Sequence, residues 1–204
     1  MPLRSQGFCK VLSSEQVAST FLILHGWRNY RPPGHWQFEL ANDLRTLEED
    51  VRYPQLVNAD APILTAWLDQ LRQEWENIPS RNERIVIAHS LGTSLWLHAV
   101  AELGLEADRV LLVAPAGPSL LREELLLSSF APLPEGIDGS NWRLVCSDDD
   151  PYCVEGAAGY FGEKYGCDTD VIPGAVHFAL DDGYGRWPSA LAWCLDPEIR
   201  LVAR

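Results

Sequence analysis

One serine of this chain lies in a setting that favours nucleophilic chemistry. Ser90 is the centre of Ala88-His89-Ser90-Leu91-Gly92, between a predicted strand and a predicted helix. A nucleophile elbow places its serine at the tip of a tight strand-to-helix turn, where small residues two positions before and after it prevent a clash. The usual pattern is G-x-S-x-G, and Ala88 meets the size requirement at the first small position. The alternative is that Ser90 only caps the helix, as serines often do.

A serine hydroxyl is a weak nucleophile unless a neighbouring base takes its proton. Of the five histidines, His89 is expected to point away from the turn, and His98 is about two helical turns beyond the serine. His25 and His35 precede the serine. His177 follows the last predicted strand in a loop, Gly-Ala-Val-His, and comes late in the chain, as the order Ser…Asp…His requires. His177 is therefore the predicted base.

The residue that orients the base should be a carboxylate at the end of a strand between Ser90 and His177. Residues 142–146 (WRLVC) form that predicted strand, and three consecutive aspartates, 148–150, follow it. The alternative is an acidic turn made rigid by Pro151. Spacing alone does not choose among the three aspartates.

Two backbone amides are candidates for stabilising the negative charge of a reacting carbonyl oxygen. The Leu91 N–H lies at the start of the helix, where the helix dipole favours negative charge. The second is the Trp27 N–H in the loop His25-Gly26-Trp27, where Gly26 lets the backbone approach the substrate. His25 is expected to pack and to form hydrogen bonds that fix this loop.

A substrate pocket should lie beside these groups, and pockets are mostly apolar and aromatic. Gly26, Trp27, Trp36 and Trp187 are its predicted walls. Residues 117–139 are less regular, with a Leu-rich start that suggests a helix and a Pro/Gly-rich end that suggests a loop. This segment either borders the site or only connects the two strands on either side of it.

The elements that must position these residues alternate between short apolar runs and helical patterns. Such alternation predicts βαβ units and an α/β fold with a mostly parallel central sheet flanked by helices. The predicted strands are residues 20–24, 50–53, 84–88, 109–114, 142–146 and 169–172. The predicted helices are residues 36–47, 61–78, 93–103, 154–165 and 187–195. No linker interrupts the pattern, so residues 1–204 are predicted to form a single domain with an N-terminal extension over residues 1–16.

Composition excludes several classes of function. The net charge of −13 repels a phosphate backbone, so neither nucleic acid nor an anionic membrane is an expected partner. Residues 1–10 lack the apolar core of a secretory signal, and no run approaches the roughly 18 apolar residues of a membrane span. The five cysteines are scattered without a CxxC, which indicates free thiols in a reducing cytosol and no metal site. A cytoplasmic location is therefore expected.

Four stretches together resemble the small serine hydrolases related to retinoblastoma-binding protein 9. They are residues 25–36, the Ser90 pentapeptide, residues 147–153 (SDDDPYC), and residues 174–188 around His177. In this family the aspartate directly before the proline belongs to the triad, which implies Asp150 here. The resemblance spans residues 20–195 and implies an α/β-hydrolase fold, no cofactor, and hydrolase activity.

The expected function is that of a serine hydrolase that cleaves small carboxylic esters through an acyl-enzyme, with a small-molecule ester or acyl substrate. The alternative is a protein-binding module on a hydrolase fold, since fold does not fix function; the sequence identifies no protein partner. A nucleotide-binding enzyme is disfavoured because neither G-x-G-x-x-G nor G-x-x-x-x-G-K-[ST] occurs.

Overall fold

A six-stranded sheet, parallel throughout, forms the centre of the computed structural model, which describes residues 17–204. The predicted extension, residues 1–16, lies outside the described residues. The strands are β1 (Ser19–Leu24), β2 (Asp50–Arg52), β3 (Glu83–His89), β4 (Arg109–Val113), β5 (Trp142–Cys146) and β6 (Asp168–Val171). Their order across the sheet is β2-β1-β3-β4-β5-β6. The sheet confirms the predicted α/β fold.

Helices cover both faces of this sheet, which explains why its central strands are continuous apolar runs. The helices are α1 (Trp36–Thr46), α2 (Leu64–Glu76), α3 (Leu91–Leu103), α4 (Pro118–Glu123), a 3₁₀ helix (Leu125–Phe130), a π-helix (Ala158–Glu163) and α5 (Pro188–Leu195). Among the described residues, none of these helices combines the length and the apolar character required to cross a bilayer.

Successive strand residues face opposite layers of the core. Leu22 and Val86 pack with α2 and α3, whereas Phe21 and Ile85 pack with α1 and α5. Each core therefore takes alternate residues of β1 and β3, as the period of a strand requires.

The register of the strands brings their carboxyl ends to one edge of the sheet. Leu24 of β1 lies opposite Ala88 of β3, and Ala88 lies opposite Leu112 of β4. The loops after β1, β3, β5 and β6 therefore emerge side by side, which is where α/β folds bind ligands.

Most helix boundaries lie within two residues of prediction, and three helical segments differ more. α2 begins at Leu64, two residues after Pro62. The Leu-rich part of residues 117–139 divides into α4 and the 3₁₀ helix, because Glu124 adopts an extended backbone between them. The helix predicted from residue 154 has its π-helical part at Ala158–Glu163, after Gly156 with a φ of +78°.

Candidate active site

Ser90 occupies the sharp turn between β3 and α3. Its φ of +54° and ψ of −124° lie in a region that non-glycine residues rarely adopt, at a cost of about 1–3 kcal/mol. The Ser90 N–H donates to the Val113 carbonyl at 3.0 Å, which ties the turn to β4. The side chain makes no capping hydrogen bond to α3, so the capping alternative does not describe this serine.

Two glycines allow the turn to fit against the end of β1. A Cβ on Gly26 would lie 2.7 Å from the Ser90 Cβ, and a Cβ on Gly92 would lie 2.6 Å from the Leu24 carbonyl oxygen. Both distances are below contact, so only glycine fits without a shift in the backbone or in the serine. Gly26 therefore makes room for Ser90 itself as well as for a substrate.

Ser90, His177 and Asp150 form a continuous chain of hydrogen bonds. The Ser90 Oγ lies 2.9 Å from Nε2 of His177, and Nδ1 of the same ring lies 2.8 Å from Oδ2 of Asp150. Because a carboxylate only accepts hydrogen bonds, it places the ring proton on Nδ1 and leaves Nε2 to accept from the hydroxyl. Asp150 and His177 are each 8% exposed, so water screens their interaction little.

The three aspartates after β5 have separate partners in the loop that carries His177. Asp148 accepts from the Gly174 N–H and Asp149 from the Val176 N–H, each at 2.9 Å. Asp150 alone reaches the imidazole. The structure therefore brings Asp150, the aspartate that the resemblance implies, into contact with His177. Its two neighbours bind the backbone of the loop instead.

The two residues that carry the predicted oxyanion donors, Trp27 and Leu91, both line the pocket over Ser90. Leu91 is the first residue of α3, and an amide at that position has no partner within its helix. The indole of Trp27 is fixed by a hydrogen bond from Nε1 to the Asp60 carbonyl at 2.9 Å. The guanidinium carbon of Arg28 lies 4.1 Å above the same ring.

A pocket of about 390 Å³ opens over Ser90 and His177. Gly26 and Trp27 lie in its wall as predicted. Leu120 and Leu127 complete the wall from the 117–139 segment, so this segment borders the site.

Trp36 and Trp187 require a correction, because they lie in the core rather than in the pocket wall. Their rings pack edge to face with centroids 5.4 Å apart, the Trp187 ring also packs against Phe178, and both side chains are almost fully buried. Trp36 is the first residue of α1 and Trp187 is the N-cap of α5, and these two helices pack against each other.

His25 fixes the loop after β1, as expected. Its Nε2 accepts from the Leu56 N–H at 2.9 Å, so Nδ1 carries the proton and donates to the Gly26 carbonyl at 2.8 Å. Burial lowers the pKa of His25 to about 4, which keeps the ring neutral. His98 bonds to Glu102 and to the Phe130 carbonyl, away from the serine.

The sequence did not single out His35 or Tyr152 as pocket residues, although both line it. His35 is the N-cap of α1, where its Nδ1 accepts from the Gln37 N–H at 3.2 Å. Burial lowers the pKa of His35 to about 4, with the nearby His177 as a further cause. Its position directly before a predicted helix was the available signal for the cap, while nothing local indicated the pocket.

Cysteine and metal chemistry have no support at this site. The four described cysteines are buried free thiols, and burial raises the pKa of Cys153 to about 12. Residues 17–204 contain no group of three or more His, Cys, Asp or Glu side chains that would hold a metal ion.

A sequence family described as serine hydrolase matches residues 21–194, an interval that contains Ser90, Asp150 and His177. The chain belongs to this serine hydrolase family. A comparison with curated proteins gives no significant match.

Several solved structures share the α/β-hydrolase fold of this serine hydrolase. The ydeN gene product from B. subtilis matches with a TM-score of 0.73 at 19% sequence identity, over 87% of this chain and 97% of that one. A protein described as a YdeN-like hydrolase from Pectobacterium atrosepticum has a TM-score of 0.67 at 23% identity, covering 86% and 88%. Est1E from Butyrivibrio proteoclasticus has a TM-score of 0.58 at 16% identity, covering 90% and 89%. At these identities the likeness establishes the fold alone.

Proposed function

We propose that this serine hydrolase cleaves small carboxylic esters, with Ser90 as nucleophile, His177 as base and Asp150 as the residue that orients the base. The observation that carries the proposal is the unbroken chain of hydrogen bonds from Ser90 Oγ through both ring nitrogens of His177 to Asp150. A serine in a strained turn, bonded to an imidazole that a buried carboxylate orients, is the arrangement that acyl transfer requires.

In the first half-reaction, Ser90 Oγ attacks the ester carbonyl carbon while His177 Nε2 takes the hydroxyl proton. The carbonyl oxygen becomes an oxyanion, which accepts hydrogen bonds from the amides of Trp27 and Leu91. His177 then gives its proton to the leaving alkoxide, the C–O bond breaks, and an acyl-serine remains. Asp150 stabilises the imidazolium throughout this step.

In the second half-reaction, a water molecule gives its proton to His177 Nε2 and attacks the acyl-serine. The tetrahedral intermediate uses the same two amides, and its collapse returns the proton from His177 to Ser90 Oγ. The acid is released and the starting hydrogen-bond chain forms again. These steps use only the chain and water and require no cofactor.

The pocket supports a small-molecule ester as substrate. Its volume of about 390 Å³ is near the lower end of the roughly 300–1,000 Å³ typical of ligand pockets. Leu91, Ala116, Leu120 and Leu127 give one wall an apolar surface suited to an acyl chain. The negative charge of the chain disfavours polyanionic substrates such as nucleic acids.

A fluorophosphonate probe, which reacts covalently with activated serines, tests the proposal. We expect wild-type protein to be labelled and Ser90→Ala to be inert. Ser80→Ala is the matched control, because Ser80 is exposed and lies in the turn after α2. A wild-type protein that is not labelled would remove the hydrolase proposal and favour a binding module, whereas labelling that persists in Ser90→Ala would exclude Ser90 as the nucleophile.

A further inference from the structure

We infer that His89 and Asp182 are positioning residues that clamp the backbone of His177 from both sides and so hold its ring against Ser90. Asp182 Oδ2 accepts from the His177 N–H at 3.0 Å. His89 Nε2 lies 2.9 Å from the His177 carbonyl oxygen, to which it donates. This role rests on the proposed function of Ser90 and His177 and adds two residues that act through His177.

The clamp is required because the loop that carries His177 is strained. Val176 and Phe178, its two neighbours, have φ values of +51° and +56°. A β-branched and an aromatic side chain are both unfavourable in this left-handed region, so the free loop would relax toward negative φ. Relaxation at either neighbour would rotate the Cα–Cβ bond of His177 away from Ser90.

Asp182 opposes this relaxation from the C-terminal side of the loop. The same carboxylate oxygen also accepts from the Ala179 N–H at 2.9 Å, so one atom binds amides on both sides of the strained Phe178. Asp182 is held in return, because its own N–H donates to the Ala179 carbonyl at 3.2 Å. Charge-assisted bonds of this kind are stronger than neutral ones.

His89 opposes the relaxation of the strained loop from the side of the sheet. It is the last residue of β3 and immediately precedes Ser90, so its hydrogen bond joins the strand that carries the serine to the loop that carries the base. The ring is 4% exposed and packs against His35, with ring centroids 5.5 Å apart. Because a carbonyl only accepts hydrogen bonds, the contact fixes the His89 proton on Nε2.

The two bonds therefore fix both backbone polar groups of His177 by side chains from different parts of the chain. Displacement of a reacting group by about 1 Å can reduce turnover by roughly 100-fold. His89 lines the pocket, whereas Asp182 does not, so replacing Asp182 removes no direct contact with a substrate.

The experiment compares Asp182→Ala with Asp182→Asn. Its main readout is the downfield proton NMR resonance of the His177 Nδ1–H bonded to Asp150, identified by its loss in His177→Gln. We expect the resonance to be lost in Asp182→Ala and retained in Asp182→Asn, whose amide oxygen still accepts. With p-nitrophenyl acetate, kcat should fall about 100-fold in the alanine variant with KM within about twofold of wild type, and the asparagine variant should recover most of it.

Asp138→Ala is the matched control, because Asp138 also accepts a backbone N–H, from Ser140, in an exposed turn that lines no part of this pocket. It should retain both the resonance and the wild-type kcat. If Asp182→Ala does not fold, Asp182→Ser decides, since its short hydroxyl cannot reach both amides and an intermediate loss of the resonance is expected.

If the variant that folds, Asp182→Ala or Asp182→Ser, keeps the His177 Nδ1–H resonance of the wild-type protein, the positioning role is wrong. The resonance does not require turnover, so it distinguishes the two proposals. Its loss in Asp182→Ala together with an unlabelled wild-type protein would retain the clamp and reject the hydrolase.

Discussion

Three consecutive aspartates bind three different groups in the loop that carries His177, and this predicts unequal effects of mutation. Asp150 bonds to the imidazole, whereas Asp148 bonds only to the Gly174 N–H. Asp150→Asn presents either an oxygen or an N–H to Nδ1 and no longer stabilises the imidazolium. We expect its kcat to fall about 10³- to 10⁴-fold.

Steady-state hydrolysis of p-nitrophenyl acetate checks this prediction, with Asp148→Asn as its control. The asparagine at position 148 still offers an oxygen to the Gly174 N–H, so its kcat should stay close to that of wild type. Equal losses in the two variants would contradict the separate roles that the contacts give these residues.

At the residue scale, local sequence patterns distinguished two of the three proposed catalytic residues. Ser90 was distinguished by its small neighbours and His177 by its place after the last strand. The aspartates were not distinguished by spacing, because all three follow the same strand and only the side-chain directions separate them. Asp182 gave no signal, since its role depends on contacts made across a turn.

At the scale of elements, Gly92 sets the closest approach between α3 and β1. An added Cβ would lie 2.6 Å from the Leu24 carbonyl oxygen and 2.8 Å from that of His25. Both are backbone atoms at the carboxyl end of β1, an interior strand of the sheet, so they cannot move aside without a shift of the main chain. Gly92→Ala should therefore lower the free energy of unfolding by about 1–3 kcal/mol.

Urea denaturation measures this loss, and Gly159→Ala is the control within a second helix. A Cβ on Gly159 meets nothing within 4 Å. Alanine also has the higher helix propensity, so this variant should be as stable as wild type or slightly more stable. A Gly92→Ala protein with wild-type stability would show that α3 does not approach β1 as closely as the structure has it.

The sequence predicted whether a segment is a strand or a helix where one hydrophobic period dominated it. It did not predict where every helix begins and ends. The buried parallel strands are continuous apolar runs, and α2 shows the 3-and-4 spacing of an amphipathic helix. The division of residues 118–130 into two short helices depends on the extended backbone of Glu124, whose carboxylate accepts from the Leu126 N–H. Such a local bond competes with a continuous helix and has no periodic signal.

At the scale of the whole molecule, the pocket limits the acyl chain that fits. A volume of about 390 Å³ bounded by Leu120, Leu127 and the loop after β1 accommodates a short chain. We expect kcat/KM for p-nitrophenyl esters to be highest for chains of about two to six carbons, since longer chains must extend into water. Leu127→Ala should shift this preference toward longer chains, and a wild-type maximum at about sixteen carbons would contradict the prediction.

The histidines buried around the site also set how stability depends on pH. Burial lowers the pKa of His25 and of His35 to about 4 in the folded protein, against 6.5 as the ordinary value. Between these limits the unfolded chain binds more protons than the folded chain, so stability falls as the pH falls from about 6.5 to about 4. Each histidine should contribute a loss of about 1–2 kcal/mol between pH 7 and pH 5.

Urea denaturation at the two pH values measures the loss, with His35→Gln as the informative variant. Glutamine does not titrate, so the difference in unfolding free energy between pH 7 and pH 5 should shrink by about 1–2 kcal/mol relative to wild type. Arg186→Gln is the control, because Arg186 is exposed and its charge does not change between pH 5 and pH 7. This variant should retain the wild-type difference in unfolding free energy between the two pH values. A His35→Gln protein with an unchanged pH dependence would mean that His35 is not held neutral by burial in the folded state.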